Sequence, residues 1–151
     1  MIARTAARGG FVRARPATEF GMSPPVLVRR FTARPEEIAA ARHDVRDCVE
    51  RNGAANPDAI ALAVTEAITN AVVHAYVDAP EPGEIEVIVQ RLPDGTGIEV
   101  LVCDEGRGMM PRTDSPGLGL GLPLVATLAE RFEVEARIGG GTRVLMAFAT
   151  G

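Results

Sequence analysis

The sequence contains no lysine, because all 16 of its basic residues are arginines. This absence excludes any mechanism that needs a catalytic lysine, and it excludes the phosphate-binding loop that ends in Gly-Lys-Ser/Thr. Any phosphate contact must therefore come from backbone N–H groups and arginines. The net charge of −4 also argues against sequence-independent nucleic-acid binding, which needs a basic surface to replace counterions.

Cysteine is scarce, and long apolar runs are missing. Cys48 and Cys103 lie far apart without nearby histidine clusters, so the sequence predicts neither a disulfide framework nor a cysteine metal site. We expect both thiols to be reduced and buried. No apolar run approaches the roughly 20 residues that span a bilayer, and the arginine-bearing N-terminus has no apolar signal core. We therefore expect a cytoplasmic protein that does not bind membranes.

The length of 151 residues, with 46% hydrophobic and 24% charged residues, is ordinary for one globular domain. Residues 1–24 are rich in Arg, Ala, Gly and Pro and show no periodicity, which predicts a disordered tail. The remaining residues, 25–151, form the predicted domain.

Hydrophobic periodicity predicts a strand, two helices, two strands, a helix and two strands. Asn56-Pro57 is typical of an N-cap followed by proline at the first helical position. This order favours an α+β fold with helices on one face of a mostly antiparallel sheet. The predicted elements are a strand over 26–31, helices over 36–51 and 57–75, strands over 85–91 and 98–103, a helix over 120–129, and strands over 132–138 and 142–148.

The second predicted helix carries a polar face. Glu66, Asn70 and His74 are four residues apart, so they share one side of the helix, beside the small residues Ala67 and Ala71. A carboxylate one turn from an amide places a base next to a hard oxygen ligand, and Mg²⁺ accepts few protein oxygens plus phosphates and waters. The alternative is a solvated polar stripe, which we favour for this spacing taken alone.

Two other segments carry candidate binding residues near strand ends. Asp104 closes an apolar strand and is followed by Gly106 and Gly108. A carboxylate there can accept a hydrogen bond from an exocyclic amine such as that of adenine, and glycines let the backbone approach a flat ring. The alternative is a plain acidic turn, of equal weight. Gly141 and Thr142 open the last strand, where the Thr142 hydroxyl could lie near the adenine base. The alternative is that these residues form a simple hairpin turn.

The glycine-rich run over 117–122 leads into a predicted helix. Free N–H groups at a helix start, together with the helix dipole, form an anion site. The run does not fit a dinucleotide-binding fingerprint, because no strand leads directly into it. Gly117, Gly119 and Gly121 are the candidate phosphate-binding positions.

Taken together, these segments resemble the boxes of the histidine-kinase-type ATPase superfamily over about residues 31–148. Within it, residues 65–76 most resemble the bacterial anti-sigma factor serine/threonine kinases, which carry Glu-Ala-x-x-Asn-Ala followed by His-Ala/Gly-Tyr. The resemblance implies a two-layer α/β sandwich with a mixed, mostly antiparallel sheet. The matching boxes are Glu66-x-x-x-Asn70, Asp104-x-Gly106-x-Gly108, Gly117-x-Gly119 and Gly141-Thr142.

The same resemblance implies roles for these residues toward ATP and Mg²⁺. Glu66 is implied as the general base for a protein serine or threonine hydroxyl, and Asn70 as the Mg²⁺ ligand. Asp104 is implied on the adenine amine, and Thr142 near the base. Residues 109–117 are implied as a lid over the phosphates. This sequence departs from the family in that the lid is short, and the cations in its region, Arg107 and Arg112, are the candidates to meet the γ-phosphate.

The resemblance further implies partners. A kinase of this family binds a sigma factor in one complex and phosphorylates an antagonist protein in another, and its members often form homodimers. Arg42 matches the position of a partner-binding arginine, and Arg46 lies one turn further on. The alternative for these two is a solvated basic face. The alternative for the whole protein is a nucleotide-gated binding module that sequesters a partner without phosphorylating it.

Overall fold

The computed structural model describes residues 23–107 and 124–151. Its strands form one five-stranded sheet in the order β1-β2-β3-β5-β4, and every neighbouring pair is antiparallel. The described sheet therefore lacks the parallel component of the expected mixed sheet. The strands are β1 (Leu27–Thr32), β2 (Glu84–Arg91), β3 (Gly97–Asp104), β4 (Arg131–Ala136) and β5 (Thr142–Ala149).

Two long helices, α1 (Pro35–Arg51) and α2 (Pro57–Asn70), connect β1 to β2. Helix α1 starts with proline, and its first turn carries acidic residues that complement the helix dipole. Asn56 caps α2 as predicted, because its side-chain oxygen accepts a 3.0 Å hydrogen bond from the main-chain N–H of Ala59. A π-helical turn (Ala71–Ala75) continues α2 to the predicted end of this helix.

The core lies between the helices and one face of the sheet. The inward side chains alternate along β2, β3 and β5, as expected for a half-covered antiparallel sheet. They pack against the apolar stripes of α1 and α2, which confirms the two-layer architecture. The central core residues are Val45, Val49, Ile60, Val64, Ile68, Ile85, Val87, Val89, Ile98, Val100, Val102, Val144, Met146 and Phe148.

The other face of the sheet carries a smaller apolar cluster of Leu101, Cys103 and Leu145. Burial raises the pKa of the Cys103 thiol to about 11, and burial also raises the pKa of Cys48. Both cysteines are free and buried, which confirms the predicted burial of the two thiols.

The predicted strands and long helices lie within two residues of the observed bounds when the π-helical turn is counted with α2. The strand predicted over 132–138 ends earlier, at Ala136, because the main-chain N–H of Arg137 already belongs to the turn and donates to Gly141 O at 3.0 Å. Of the helix predicted over 120–129, residues 124–128 are helical in the described part, and its predicted start lies outside. The predicted tail over 1–24 lies almost entirely outside the described residues. Neither described range contains a helix with the length and apolar character needed to cross a membrane.

Candidate active site

The centre of the site is the pairing between the end of β3 and the start of β5. Asp104 and Thr142 are directly opposite each other in this antiparallel pair, and both side chains are buried. The main-chain N–H of Gly106 donates to Asp104 Oδ1 at 2.9 Å, and the main-chain N–H of Thr142 donates to the same carboxylate. The second and fourth predicted segments therefore meet at one carboxylate.

Burial raises the pKa of Asp104 above its usual range, because a carboxylate is poorly solvated in this position. The hydrogen bonds from Gly106 and Thr142 and the nearby Arg137 guanidinium oppose that rise. An ionised carboxylate accepts more than two hydrogen bonds, so an incoming amine could supply a further donor at this point.

The glycines beside Asp104 allow backbone segments to touch. A Cβ at Gly106 would lie 2.1 Å from the carbonyl oxygen of Ala75, at the end of the π-helical turn. The main-chain N–H of Arg107 donates to that same oxygen at 2.9 Å. The turn after Asp104 is thus pressed directly against the end of the helix that carries the first predicted segment.

Asn70 is the last residue of α2 and is 5% exposed. Its Nδ2 atom is buried and has no hydrogen-bond partner among the described residues. Leaving such a group unpaired costs about 1–3 kcal/mol, so the amide is suited to a ligand that completes it. A half-turn about the last side-chain bond exchanges Nδ2 and Oδ1, which presents an oxygen to the same point.

These observations fit a nucleotide with Mg²⁺. Asn70 offers an oxygen of the kind that Mg²⁺ prefers, and Asp104 offers an acceptor for an amine at the neighbouring strand end. Within residues 23–107 and 124–151 there is no group of three or more His, Cys, Asp or Glu residues placed to hold a metal. A magnesium ion beside Asn70 would therefore take most of its ligands from phosphate and water.

The remaining predicted residues of this site stand as follows. Glu66 is partly exposed on α2, one turn before Asn70. Arg107 follows Gly106, and its Nη1 donates to Asp78 Oδ2 at 2.6 Å, so a phosphate contact requires it to leave that carboxylate. The other predicted positions lie outside the described residues; they are Gly108, Arg112, Gly117, Gly119 and Gly121.

The two predicted partner-binding arginines border one groove between α1 and α2, with a volume of about 350 Å³. Arg46 is paired with Asp58 at 2.7 Å and with Glu50 at 3.2 Å. Arg42 is exposed and forms no ion pair with any other described residue. The exposed Leu62 also lines the groove, so the Arg42 guanidinium and an apolar side chain border the same groove.

Sequence reasoning missed two residues that shape the site. Arg137 donates from Nη1 to the main-chain oxygen of Asp104 at 3.0 Å. The Tyr76 hydroxyl makes two hydrogen bonds to main-chain atoms. It donates to Glu84 O at 2.6 Å and accepts from the Glu105 N–H at 2.9 Å. Both contacts depend on which strands are neighbours, which periodicity does not report. The only signal in the sequence is that Tyr76 ends the His-Ala-Tyr motif.

Comparison with known proteins identifies the family of this chain. Residues 31–148 match the family described as the histidine kinase-like ATPase domain. The chain is 32% identical over 99 residues to an anti-sigma F factor of Thermoanaerobacter sp. (strain X514), covering 58% of this chain and 66% of that relative. It therefore spans slightly less than two thirds of that relative's length.

A second relative covers more of the chain. The serine-protein kinase RsbW of Bacillus velezensis (strain DSM 23117 / BGSC 10A6 / LMG 26770 / FZB42) is 32% identical over 127 residues, covering 73% of this chain and 78% of the relative. A crystal structure of RsbU and RsbW domains from Mycobacterium tuberculosis superposes with a TM-score of 0.63 at 22% identity. It covers 85% of this chain and 32% of that chain, and it supports the fold alone.

The fold and the family match over residues 31–148 define a histidine kinase-like ATPase domain. Within that class, the chain belongs to the bacterial anti-sigma factor serine/threonine kinase family.

Proposed function

We propose that this chain is an ATP-dependent protein serine/threonine kinase of the anti-sigma type, acting in the cytoplasm. In this proposal it binds a sigma factor and phosphorylates the antagonist protein that releases it. The observation that carries the proposal is the junction of two elements at one place. The helix with Glu66 and Asn70 ends against the turn that follows Asp104, through the hydrogen bond between Ala75 and Arg107.

Different residues bind the adenine end and the phosphate end of the nucleotide. Asp104 accepts a hydrogen bond from the adenine amine, with Thr142 beside it in the paired strand. Asn70 holds Mg²⁺, which neutralises charge on the phosphates when it is bound. Gly106 lets the backbone approach, and Arg107 contributes a cation once it has left Asp78. The positions outside the described residues, Gly108, Gly117, Gly119, Gly121 and Arg112, complete the phosphate contacts in this proposal.

Glu66 acts as the general base. It takes the proton of the serine or threonine hydroxyl while the hydroxyl oxygen forms a bond to the γ-phosphorus. The bond from that phosphorus to the bridging oxygen breaks, and ADP leaves with the electron pair. Positioning and charge neutralisation supply most of the rate in such a transfer, and the base adds a smaller factor.

The partner surface in this proposal is the groove between α1 and α2. Arg42 is free to pair with an interface carboxylate, which its planar fork suits. The groove also includes Thr65, the residue before Glu66, so a partner docked there reaches the neighbourhood of the base. The same groove serves the sigma factor and the antagonist, which makes their binding exclusive.

Transfer of labelled phosphate from ATP to candidate antagonist proteins tests the proposal. The wild-type chain should phosphorylate a serine or threonine of the antagonist, and Glu66→Gln should lose about 10²–10⁴ in rate. Nucleotide affinity should change little in Glu66→Gln, because the amide keeps the size of the side chain. A wild-type chain that binds ATP and its partners without transferring phosphate would establish the nucleotide-gated binding module instead.

A further inference from the structure

The side chain of Tyr76 ties the end of the helix that carries Glu66 and Asn70 to the sheet. This residue immediately follows the π-helical turn and is partly buried. Its hydroxyl donates to the main-chain oxygen of Glu84 at 2.6 Å and accepts from the main-chain N–H of Glu105 at 2.9 Å. One hydroxyl therefore joins the helix end to the first residue of β2 and to the residue after β3.

The packing around the ring is equally close. A Cβ at Gly83 would lie 2.3 Å from Tyr76 Cε1, so the ring occupies the space that any other residue at 83 would need. On the next turn, Arg107 N donates to Ala75 O, and Gly106 approaches the same carbonyl. The three residues that follow Asp104, namely Glu105, Gly106 and Arg107, therefore all contact the end of this helix.

The two ends of the candidate site are anchored differently. Asp104 is held by its pairing with Thr142, by the N–H of Gly106 and by Arg137 on its main-chain oxygen. Tyr76 bonds to the following residue, Glu105, and makes none of these three contacts. Asn70 lies at the end of α2, before a π-helical turn, a departure from α-helix geometry that often occurs at functional sites. The position of Asn70 relative to Asp104 therefore depends on how the end of this helix is fastened to the sheet.

We propose that Tyr76 is a positioning residue that sets the placement of Asn70 relative to Asp104, so that one Mg²⁺-bound nucleotide reaches both. This inference rests on the proposed nucleotide site and extends it. Loss of the hydroxyl loosens the helix end while the strand pair keeps Asp104 in place. A ligand that contacts only the Asp104 end is then unaffected, and a ligand that must reach both ends binds more weakly.

Tyr76→Phe tests this directly, because it keeps the ring and removes only the hydroxyl. Calorimetry should show that affinity for Mg²⁺-ADP falls about tenfold, as expected for the loss of two hydrogen bonds that hold the site. Affinity for adenosine should stay within about twofold. Thr150→Val is the matched control, because it removes a hydroxyl-to-carbonyl bond to Gly95, at the other end of the sheet, and should change neither affinity.

A second variant and a second measurement guard against a general loss of folding. Gly83→Ala pushes on the ring without altering the hydroxyl, and it should show the same selective loss for Mg²⁺-ADP. Amide hydrogen exchange should report faster exchange at Glu105 in Tyr76→Phe and unchanged exchange at Thr142. Equal losses for adenosine and Mg²⁺-ADP, or no loss for either, would overturn the assignment.

Failure of the positioning role of Tyr76 can be distinguished from failure of the proposed kinase function. A wild-type chain that binds neither adenosine nor Mg²⁺-ADP contradicts the nucleotide site and the role of Tyr76 together. A wild-type chain that binds Mg²⁺-ADP but transfers no phosphate contradicts the kinase alone, and the binding measurements on Tyr76→Phe then still support or overturn its positioning role.

Discussion

Gly141 touches the backbone of Asp104 so closely that a Cβ at residue 141 would lie 2.0 Å from the Asp104 carbonyl oxygen. Its φ of +97° also belongs to the region that favours glycine. The glycine of the last predicted segment is thus required twice, once for its conformation and once for its contact. This contact places the turn before β5 directly against the residue that closes β3.

The first prediction separates these two requirements. Gly141→Ala should lower the free energy of unfolding by the cost of the left-handed conformation, about 1–2 kcal/mol, plus a further cost for displacing Asp104. Gly139→Ala lies in the same turn, with φ +90°. Its neighbours in the chain aside, no described residue has an atom within 4 Å of the added Cβ, so this variant carries only the first cost. Denaturant unfolding of both variants measures the difference.

ATP binding gives the same comparison a functional readout. Gly141→Ala should weaken ATP binding, since it moves the Asp104 carbonyl, whereas Gly139→Ala should leave it close to wild type. Equal stability and equal ATP affinity in the two variants would mean that the contact with Asp104 has no consequence for the site.

The second prediction concerns pH. Burial raises the pKa of Asp104, and the ionised carboxylate is the form that accepts the adenine amine. ATP affinity should therefore fall as the pH drops through this raised pKa. Asp104→Asn should cost roughly 1.5–3 kcal/mol of ATP affinity at neutral pH and remove this pH dependence. Calorimetry of both proteins across the acidic range measures it.

The contribution of Asp104 to folding stability has the opposite pH dependence. Because the pKa is higher in the folded protein than in the unfolded chain, the fold binds more protons there, and the contribution of Asp104 to stability decreases as pH rises through the window between the two values. This contribution is most favourable below the unfolded pKa.

An ATP affinity that has the same acidic pH dependence in wild type and Asp104→Asn would assign the titration to another group.

The third prediction concerns the groove between α1 and α2. Arg42→Ala should weaken binding of the sigma factor and of the antagonist by about 2 kcal/mol or more, while ATP binding stays intact. Arg51→Ala, exposed at the end of α1 and outside the groove, is the control. Arg46 is a poorer probe, because its replacement also releases Asp58 and Glu50.

Binding titrations with each partner measure this effect. If Arg42→Ala and Arg51→Ala bind both partners equally well, the groove is not the docking surface. The short segment over 109–117 is then the next surface to test.

Much of the architecture follows from local signals in the sequence. Asn56-Pro57, Gly53, Gly95 and Gly139 mark element ends, and period-two alternation identifies the strands. For this reason the predicted strands and long helices are close to the observed bounds. Strand order is different, because the adjacency of β3 and β5 is set by packing of the whole chain rather than by periodicity.

The site was predictable to the same degree. Spacing places Glu66 and Asn70 on one helix and Asp104 at a strand end, which the structure confirms. The π-helical turn after Asn70 could not be predicted, because its residues suit an ordinary α-helix. The contacts of Tyr76 and Arg137 are long-range hydrogen bonds to main-chain atoms, which leave no pattern in the sequence. The functional roles of these residues stay predictions.

The central proposal is that Asn70 and Asp104 hold the two ends of one Mg²⁺-bound ATP. Calorimetric ATP affinity with and without Mg²⁺, in wild type, Asn70→Ala and Asp104→Asn, tests it most directly. We predict that Mg²⁺ strengthens ATP binding in wild type and in Asp104→Asn, and that this gain is lost in Asn70→Ala. We also predict that adenosine binding is weakened by Asp104→Asn and not by Asn70→Ala. A gain from Mg²⁺ that persists unchanged in folded Asn70→Ala would contradict the account.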